Sequence, residues 1–444
     1  MKNLILGLLF KSNNLMNMKA IICVLMTISI LCQASCKKEV VEKPPPPPPD
    51  TPKYQSKMDI KWLELYTQDT SGAYFLDPYF WGDHVVFCTD MPIYKNLFPT
   101  MMAFHKIHGT KHPLWNDQTK DLSQGYTDYF PDWKLFGSNN HLAVHCAKNR
   151  LFGWNLNTGN LEWMINHAPL YGLAEFSKVF GDPYHSVTTA NDTQTRLIKI
   201  DPETGATQII VSLNAGSNEG ISILPPSGWV SPTHDTVLVF LVQGFRNVTQ
   251  GFVNAYAYCP TKNKFLWKIE LTTPHGITTM NAPLVIRDRV VFITAAGLFC
   301  VDIPTGTIKW QHTFPNPLKG FNYKPLYVNG RIYQRSGEDV MALDAYSGTI
   351  LWEYNDKINN LEGGSMAYYK GNLYFTAEDG YDPYYARYLF CLDGATGKLI
   401  WKDKGPHEYS GMAFGVIVDP ATGYLYATDA FRMMCIDLNN SPKP

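Results

Sequence analysis

The sequence predicts an all-β protein assembled from repeated four-stranded antiparallel units, on three observations. A short pattern of a small residue, Asp, Gly and Trp recurs along most of the chain. Paired apolar runs of strand length precede the copies. Aromatic residues reach 14% while charged residues make up 17%, below the roughly 25% of an average soluble domain. Trp, Tyr and Phe suit pleated, half-buried surfaces, so composition and pattern point the same way.

The pattern is clearest in Cys300-Val301-Asp302-Ile303-Pro304-Thr305-Gly306-Thr307-Ile308-Lys309-Trp310. It returns with Ala342, Asp344, Gly348 and Trp352, and again with Cys391, Asp393, Gly397 and Trp401. Asn155, Gly159 and Trp163 keep the spacing, as do Asp201, Gly205 and Ile209 with Ile in place of Trp. Cys259, Asn263 and Trp267 keep it with two substitutions. His105 and Gly109 begin a further copy that reaches Trp115 after an insertion. The physical reading is a strand, a tight turn and a second strand. Asp and Thr or Ser cap the turn through backbone N–H groups, and Gly supplies the positive φ. Trp is expected at the outer edge, stacked over the neighbouring repeat.

Upstream of the copies, Pro283–Ile293 and Pro325–Tyr333 read as hairpins, the latter turning at Asn329-Gly330, a strong short-range hairpin signal. Each repeat therefore holds four strands, one blade of a β-propeller. Met433-Met434-Cys435-Ile436-Asp437-Leu438 begins a last copy that stops before any Trp. The missing strand is available at Met58–Leu65, which would bring Trp62 to the strand around Cys435. The expected fold is thus an eight-bladed propeller over residues 54–440, closed by the N-terminal strand pairing with the last blade, with 441–444 as a tail. Division by eight gives about 48 residues per blade, within the four-stranded range. A seven-bladed ring is the alternative if the divergent copy near Cys259 is not a blade.

Residues 1–36 read as a signal peptide. Lys19 precedes an apolar run to Leu31 that is too short to span a bilayer. The run ends at Leu31-Cys32-Gln33-Ala34-Ser35-Cys36, which looks like a bacterial lipobox and makes Cys36 the lipidated residue. Residues 37–53 form a tether whose Pro44–Pro49 stretch adopts semi-rigid polyproline II. Lys37-Lys38-Glu39 partly resembles lipoprotein export signals of Bacteroidetes, so both the periplasmic and the cell-surface side of the outer membrane stay open. The near-balance of 38 basic and 39 acidic residues, with no long basic run, argues against nucleic acid as a partner. Cys300, Cys391 and Cys435 hold the small-residue position and read as buried small hydrophobes rather than disulfide partners. The twelve histidines read as scattered, so no metal site is expected.

The pattern Ala-x-Asp-x-x-Thr-Gly-x-x-x-Trp resembles the repeat of the PQQ-type propellers of quinoprotein dehydrogenases, and the resemblance covers residues 54–440. In that family a quinone stacks on a Trp under a disulfide between adjacent cysteines, beside a Ca²⁺ held by an acid and an Asn. This sequence has no adjacent cysteines and no Cys-x-x-Cys-His haem motif. No residue can be assigned as metal ligand or general base, so PQQ and other cofactors are not expected, and a dehydrogenase is the third reading. The plan of anchor, tether and propeller is similar to BamB-like scaffold lipoproteins, which implies a monomeric, non-catalytic scaffold for an outer-membrane or periplasmic protein. A glycan-binding lipoprotein is the second reading, because Trp81, Trp133, Tyr384 and Tyr385 fall in aromatic loops that would serve as a platform. Residues just ahead of the innermost strands would line a channel mouth: Glu219, Asn281, Asn322, Lys324, Glu362, Ser365 and Ser410.

Overall fold

The computed structural model describes residues 56–65, 73–75, 77–92, 101–115, 134–136, 142–147, 150–166, 176–188, 194–216, 220–247, 250–271, 282–314, 324–336, 339–355, 358–359, 364–379, 387–405, 412–429 and 432–442. The chain divides into units Met1–Lys53 and Tyr54–Pro444, and every described residue belongs to the second. Cys36 and the proline tether lie outside the described residues.

The architecture is that of an all-β propeller of antiparallel sheets. Among the described residues the strands form eight sheets of four or five strands, each built mostly from strands consecutive in sequence. The fifth, for example, runs Leu284–Ile286, Arg289–Thr294, Gly297–Asp302 and Ile308–Thr313 in spatial order. The divergent copy near Cys259 also belongs to a sheet, in which Gln250–Cys259 pairs with Lys264–Leu271. Its turn places Asn263 at φ 47°, where the other copies carry Gly. The eighth sheet departs from sequence order. Ile60–Leu65 pairs antiparallel with Arg432–Asp437 at its edge, and Trp62 stands opposite Cys435. Ser441 joins this corner, accepting a hydrogen bond from the Asp59 N–H at 2.8 Å.

Tryptophan connects consecutive sheets. The indole N–H of Trp115 donates to the Leu156 carbonyl (2.7 Å), Trp163 to Pro202 (2.7 Å) and Trp267 to Ile303 (2.6 Å). Trp310 donates to Ala345 (3.2 Å), Trp352 to Gly394 (3.1 Å) and Trp62 to Lys106 (3.1 Å). Each acceptor is the residue after the Asp position of the next repeat, so the spacing in the sequence is the geometry of this joint. The ring also lies on the turn glycine. At Gly348, with φ 72°, a Cβ would come within 2.5 Å of Trp310 Cδ2. Under the Trp, the facing strand carries a small residue: Gly153, Ala257, Cys300, Ala342, Cys391 or Cys435. An extra residue on the outer strand just before the Trp, such as Lys309 or Leu351, makes a β-bulge that turns the ring inward.

The third sheet corrects one expectation. Ile209 does not replace Trp: it is 56% exposed and pairs with Ile198. The bulge there falls at Ile210, and Val211 becomes the buried residue opposite Leu197. With no indole to aim, the register slips and a smaller side chain fills the inner position.

The described cysteines Cys88, Cys259, Cys300, Cys391 and Cys435 are buried and unbridged. Burial pushes the thiol of Cys300 up to about 11 and those of Cys391 and Cys435 up to about 12, so they pack as neutral apolar groups.

Replacing Trp310 by Ala is expected to lower the unfolding free energy by about 3–5 kcal/mol. Lys309→Ala, at the adjacent bulge, is expected to cost under about 1 kcal/mol, which denaturant titration would distinguish. The turn aspartates set a second expectation. Hydrogen bonds from the Thr204 N–H, the Thr305 hydroxyl, the Ser347 N–H and the Thr396 hydroxyl hold Asp201, Asp302, Asp344 and Asp393 below the usual carboxylate range. A depressed folded-state pKa gives stability that is complete above the unfolded value of about 3.9 and lost as pH falls below it. These caps therefore leave stability level from pH 8 to 5 and add to its loss below about pH 4, and Asp302→Asn should shallow that loss in pH-dependent melts.

Candidate functional site

The inner ends of the sixth, seventh, eighth and first sheets meet around the peptide Gly364-Ser365. From the sixth sheet, Arg335 lies in strand Arg331–Ser336 and is fully buried. Its Nη1 donates to the Gly364 carbonyl (3.3 Å) and its Nη2 to the Thr376 carbonyl (2.7 Å), with the guanidinium 5.4 Å from the Phe375 ring centroid. A charge removed from water is tolerated when it is hydrogen-bonded in this way. On the other side of the peptide, the Ser365 N–H donates to both carboxylate oxygens of Asp77, at 3.1 Å each. The Ser365 hydroxyl donates to the Val416 carbonyl (3.0 Å). Asp77 lies over Gly415, where any Cβ would strike its carboxylate. One peptide thus sits between a buried cation and an anion, and ties the inner edges of the seventh, eighth and first sheets.

Of the residues expected at the channel mouth, two are described. Ser365 is half-buried in this tie, and Lys324 is exposed ahead of the strand Leu326–Val328. Glu219, Asn281, Asn322, Glu362 and Ser410 lie outside the described residues, as do the platform candidates Trp133, Tyr384 and Tyr385. Asp77 stands directly ahead of Tyr79–Trp81 and obeys the rule that picks the others, although the sequence set leaves it out. Arg335 left no motif, since an Arg inside a strand ordinarily reads as surface.

Trp81, half-buried, packs against imidazoles, with ring centroids 5.6 Å from His84 and 5.1 Å from His112. This corrects the reading of scattered histidines. His84, His105, His108 and His112 form one cluster, with centroid separations of 5.0 Å for His84–His112, 5.9 Å for His84–His105 and 4.7 Å for His105–His108. Burial, and secondarily the neighbouring His84, holds His112 below the ordinary imidazole range. The spacing His105-x-x-His108-x-x-x-His112 was the available signal, but cross-strand register is needed to bring in His84. Among the described residues no group of three or more His, Cys, Asp or Glu is arranged to hold a metal ion.

Several residues bear on the quinone reading. Trp115, Trp163, Trp267, Trp310 and Trp352 are committed to joints between sheets, and Cys88, Cys259, Cys300, Cys391 and Cys435 are buried in their own strands. None of these residues is placed as the stacking floor or the disulfide cap that PQQ would require.

These are PQQ-like β-propeller repeats. A family profile described as outer membrane protein assembly factor BamB matches residues 254–429. Among solved structures, BamB from Moraxella catarrhalis is similar with a TM-score of 0.53 at 13% identity, covering 86% of this chain and 100% of that one, a likeness of fold. The dehydrogenase subunit of a quinone-dependent alcohol dehydrogenase from Gluconobacter oxydans (strain 621H) is 37% identical over 93 residues. That match spans 19% of this chain and 11% of the dehydrogenase.

The Asp77–Gly415 contact has a measurable consequence. Asp77→Ala is expected to cost about 1–3 kcal/mol through the unpaired Ser365 N–H. Gly415→Ala should destabilise the native chain and do less harm in the Asp77→Ala background. A double-mutant cycle in denaturant should return a coupling above about 0.5 kcal/mol.

Proposed function

We propose that the chain is an envelope-anchored, non-catalytic scaffold that holds a protein partner of the outer membrane or periplasm. In this reading the eight sheets are the blades of one ring, and Ile60–Leu65 closes it at the eighth blade. The observation that carries the proposal is the use of the repeat chemistry. The tryptophans and cysteines that would build a redox pocket are spent on joining sheets and filling strands, which is what a rigid binding platform needs. The BamB profile over residues 254–429 and the BamB-like fold favour the same reading. The quinone-enzyme match covers too small a part of that enzyme to carry its activity over.

Cys36 would hold the propeller at the membrane, and the proline tether would keep it clear of the surface. Cross-linking the full chain in its own cell envelope, followed by affinity purification, is expected to recover an outer-membrane or periplasmic protein. Cys36→Ser is expected to shift the chain from the membrane to the soluble fraction. Saturable binding of PQQ with Ca²⁺, accompanied by dye reduction, would overturn the non-catalytic reading. Selective retention on a glycan array, with no protein partner recovered, would transfer the proposal to a polysaccharide.

A further inference from the structure

The turn on which Trp62 docks differs chemically from the turns under the other tryptophans. In the sheets carrying Asp201, Asp302, Asp344 and Asp393, a carboxylate oxygen caps the turn by accepting backbone N–H groups at 2.7–3.0 Å. In the second sheet Asn155 does the same for Asn157 and Thr158. In the first sheet the cap is an imidazole. His105 Nδ1 accepts the N–H groups of Ile107 and His108, each at 3.3 Å.

This turn carries much of the joint between the C-terminal and first sheets. The Lys106 carbonyl accepts the Trp62 indole N–H and the Tyr426 hydroxyl, each at 3.1 Å. Lys106 Nζ lies 3.6 Å from the Asp419 carboxylate. The Trp62 ring lies against Gly109, where a Cβ would come within 2.5 Å of Cγ. The adjoining cluster of buried residues, which includes Trp62, Phe87, Phe104, Tyr426 and Cys435, draws on both sheets.

We propose that residues 105–109 form an acid-sensitive latch, which releases Trp62 and the N-terminal strand from the first sheet as pH falls through the imidazole range. The chemistry follows from the two ring nitrogens. An Nδ1 that accepts two N–H groups belongs to the neutral ring with its proton on Nε2, and Nε2 lies 3.8 Å from Asp83 Oδ2. A second proton must go to Nδ1, where it abolishes the cap. The groups facing this proton are mixed in sign. Asp83 is opposite in charge, and it is also paired with His84 Nδ1 at 2.5 Å. His108, stacked at 4.7 Å, and His84, the direct cross-strand partner, become like charges when protonated, and Lys106 is adjacent in sequence. The nearby Lys111 is paired with Glu64 at 3.3 Å. Imidazole titrates between about pH 5 and 8, where the aspartate caps of the other sheets are unchanged. Acidification in this range therefore reaches the imidazole cap while leaving the aspartate caps unchanged.

Hydrogen exchange of the full chain at pH 7.5 and 5.0, corrected for intrinsic rates, tests the latch. Protection of residues 58–65 is expected to fall by about tenfold or more at pH 5.0. Residues 399–403, next to the aspartate-capped turn at Asp393 and free of histidine, should keep theirs. His105→Asp and His105→Asn, which restore the caps seen in the other sheets, should each fold and remove the pH effect. Equal protection of 58–65 at both pH values in the native chain would overturn the proposal. So would a fall in protection that persists in both variants.

Discussion

The docking of tryptophan from one sheet onto the turn of the next is the interaction on which the other repeat positions depend. An indole leaving an outer strand must turn inward, cross a neighbouring strand, and find a carbonyl and open space on the next sheet. The bulge before Trp310 or Trp352 supplies the rotation. Cys300 or Ala342 beneath it supplies the clearance. The glycine of the next turn supplies the floor, and the carbonyl after the capping residue accepts the N–H. Each position in the pattern answers a requirement of the same ring, so the positions recur together. The bulges have a second effect: they interrupt the outer strands, whose exposed Leu351 and Ile400 would otherwise invite pairing with another chain.

The third sheet shows what happens when the ring is missing. Ile209 sits at the expected spacing yet points to solvent, because the bulge that would turn it inward lies one residue further on, at Ile210. The junction with the fourth sheet is then filled by other means. Tyr184, Phe240, Tyr256 and Tyr258 are buried in it, and Gly228 admits Val179 and Phe180 against the strand. Apolar burial alone is sufficient to join two sheets, since it is non-directional. What the tryptophan adds is a fixed register between them.

The sheets and their joints were legible in the sequence because each repeat carries its turn, small residue and Trp within a dozen positions, and the joint recurs one repeat further on. The pairing of Trp62 with the strand around Cys435 was legible for a related reason: a last signature without its Trp requires a strand from elsewhere. The inner site was not legible. Asp77 meets Ser365 across 288 positions of sequence, and Gly415 is marked only by the carboxylate that lies over it. Arg335 carries no motif in the sequence, and the carbonyls of Gly364 and Thr376 that it meets account for its burial. The histidines were missed because His84 joins His105 through strand register, which spacing along the chain does not reveal.

The first sheet accordingly carries a different load from the others. At its outer side it receives Trp62 from a strand that entered the eighth sheet from the other end of the domain, and at its inner side it sends Asp77 to Ser365. The eighth sheet is the one completed by a strand from the other end of the domain, so the Trp62 contact ties the first sheet to a strand held in place by its pairing with Arg432–Asp437. The described imidazole-capped signature turn is the one that receives Trp62 from the strand paired with Arg432–Asp437.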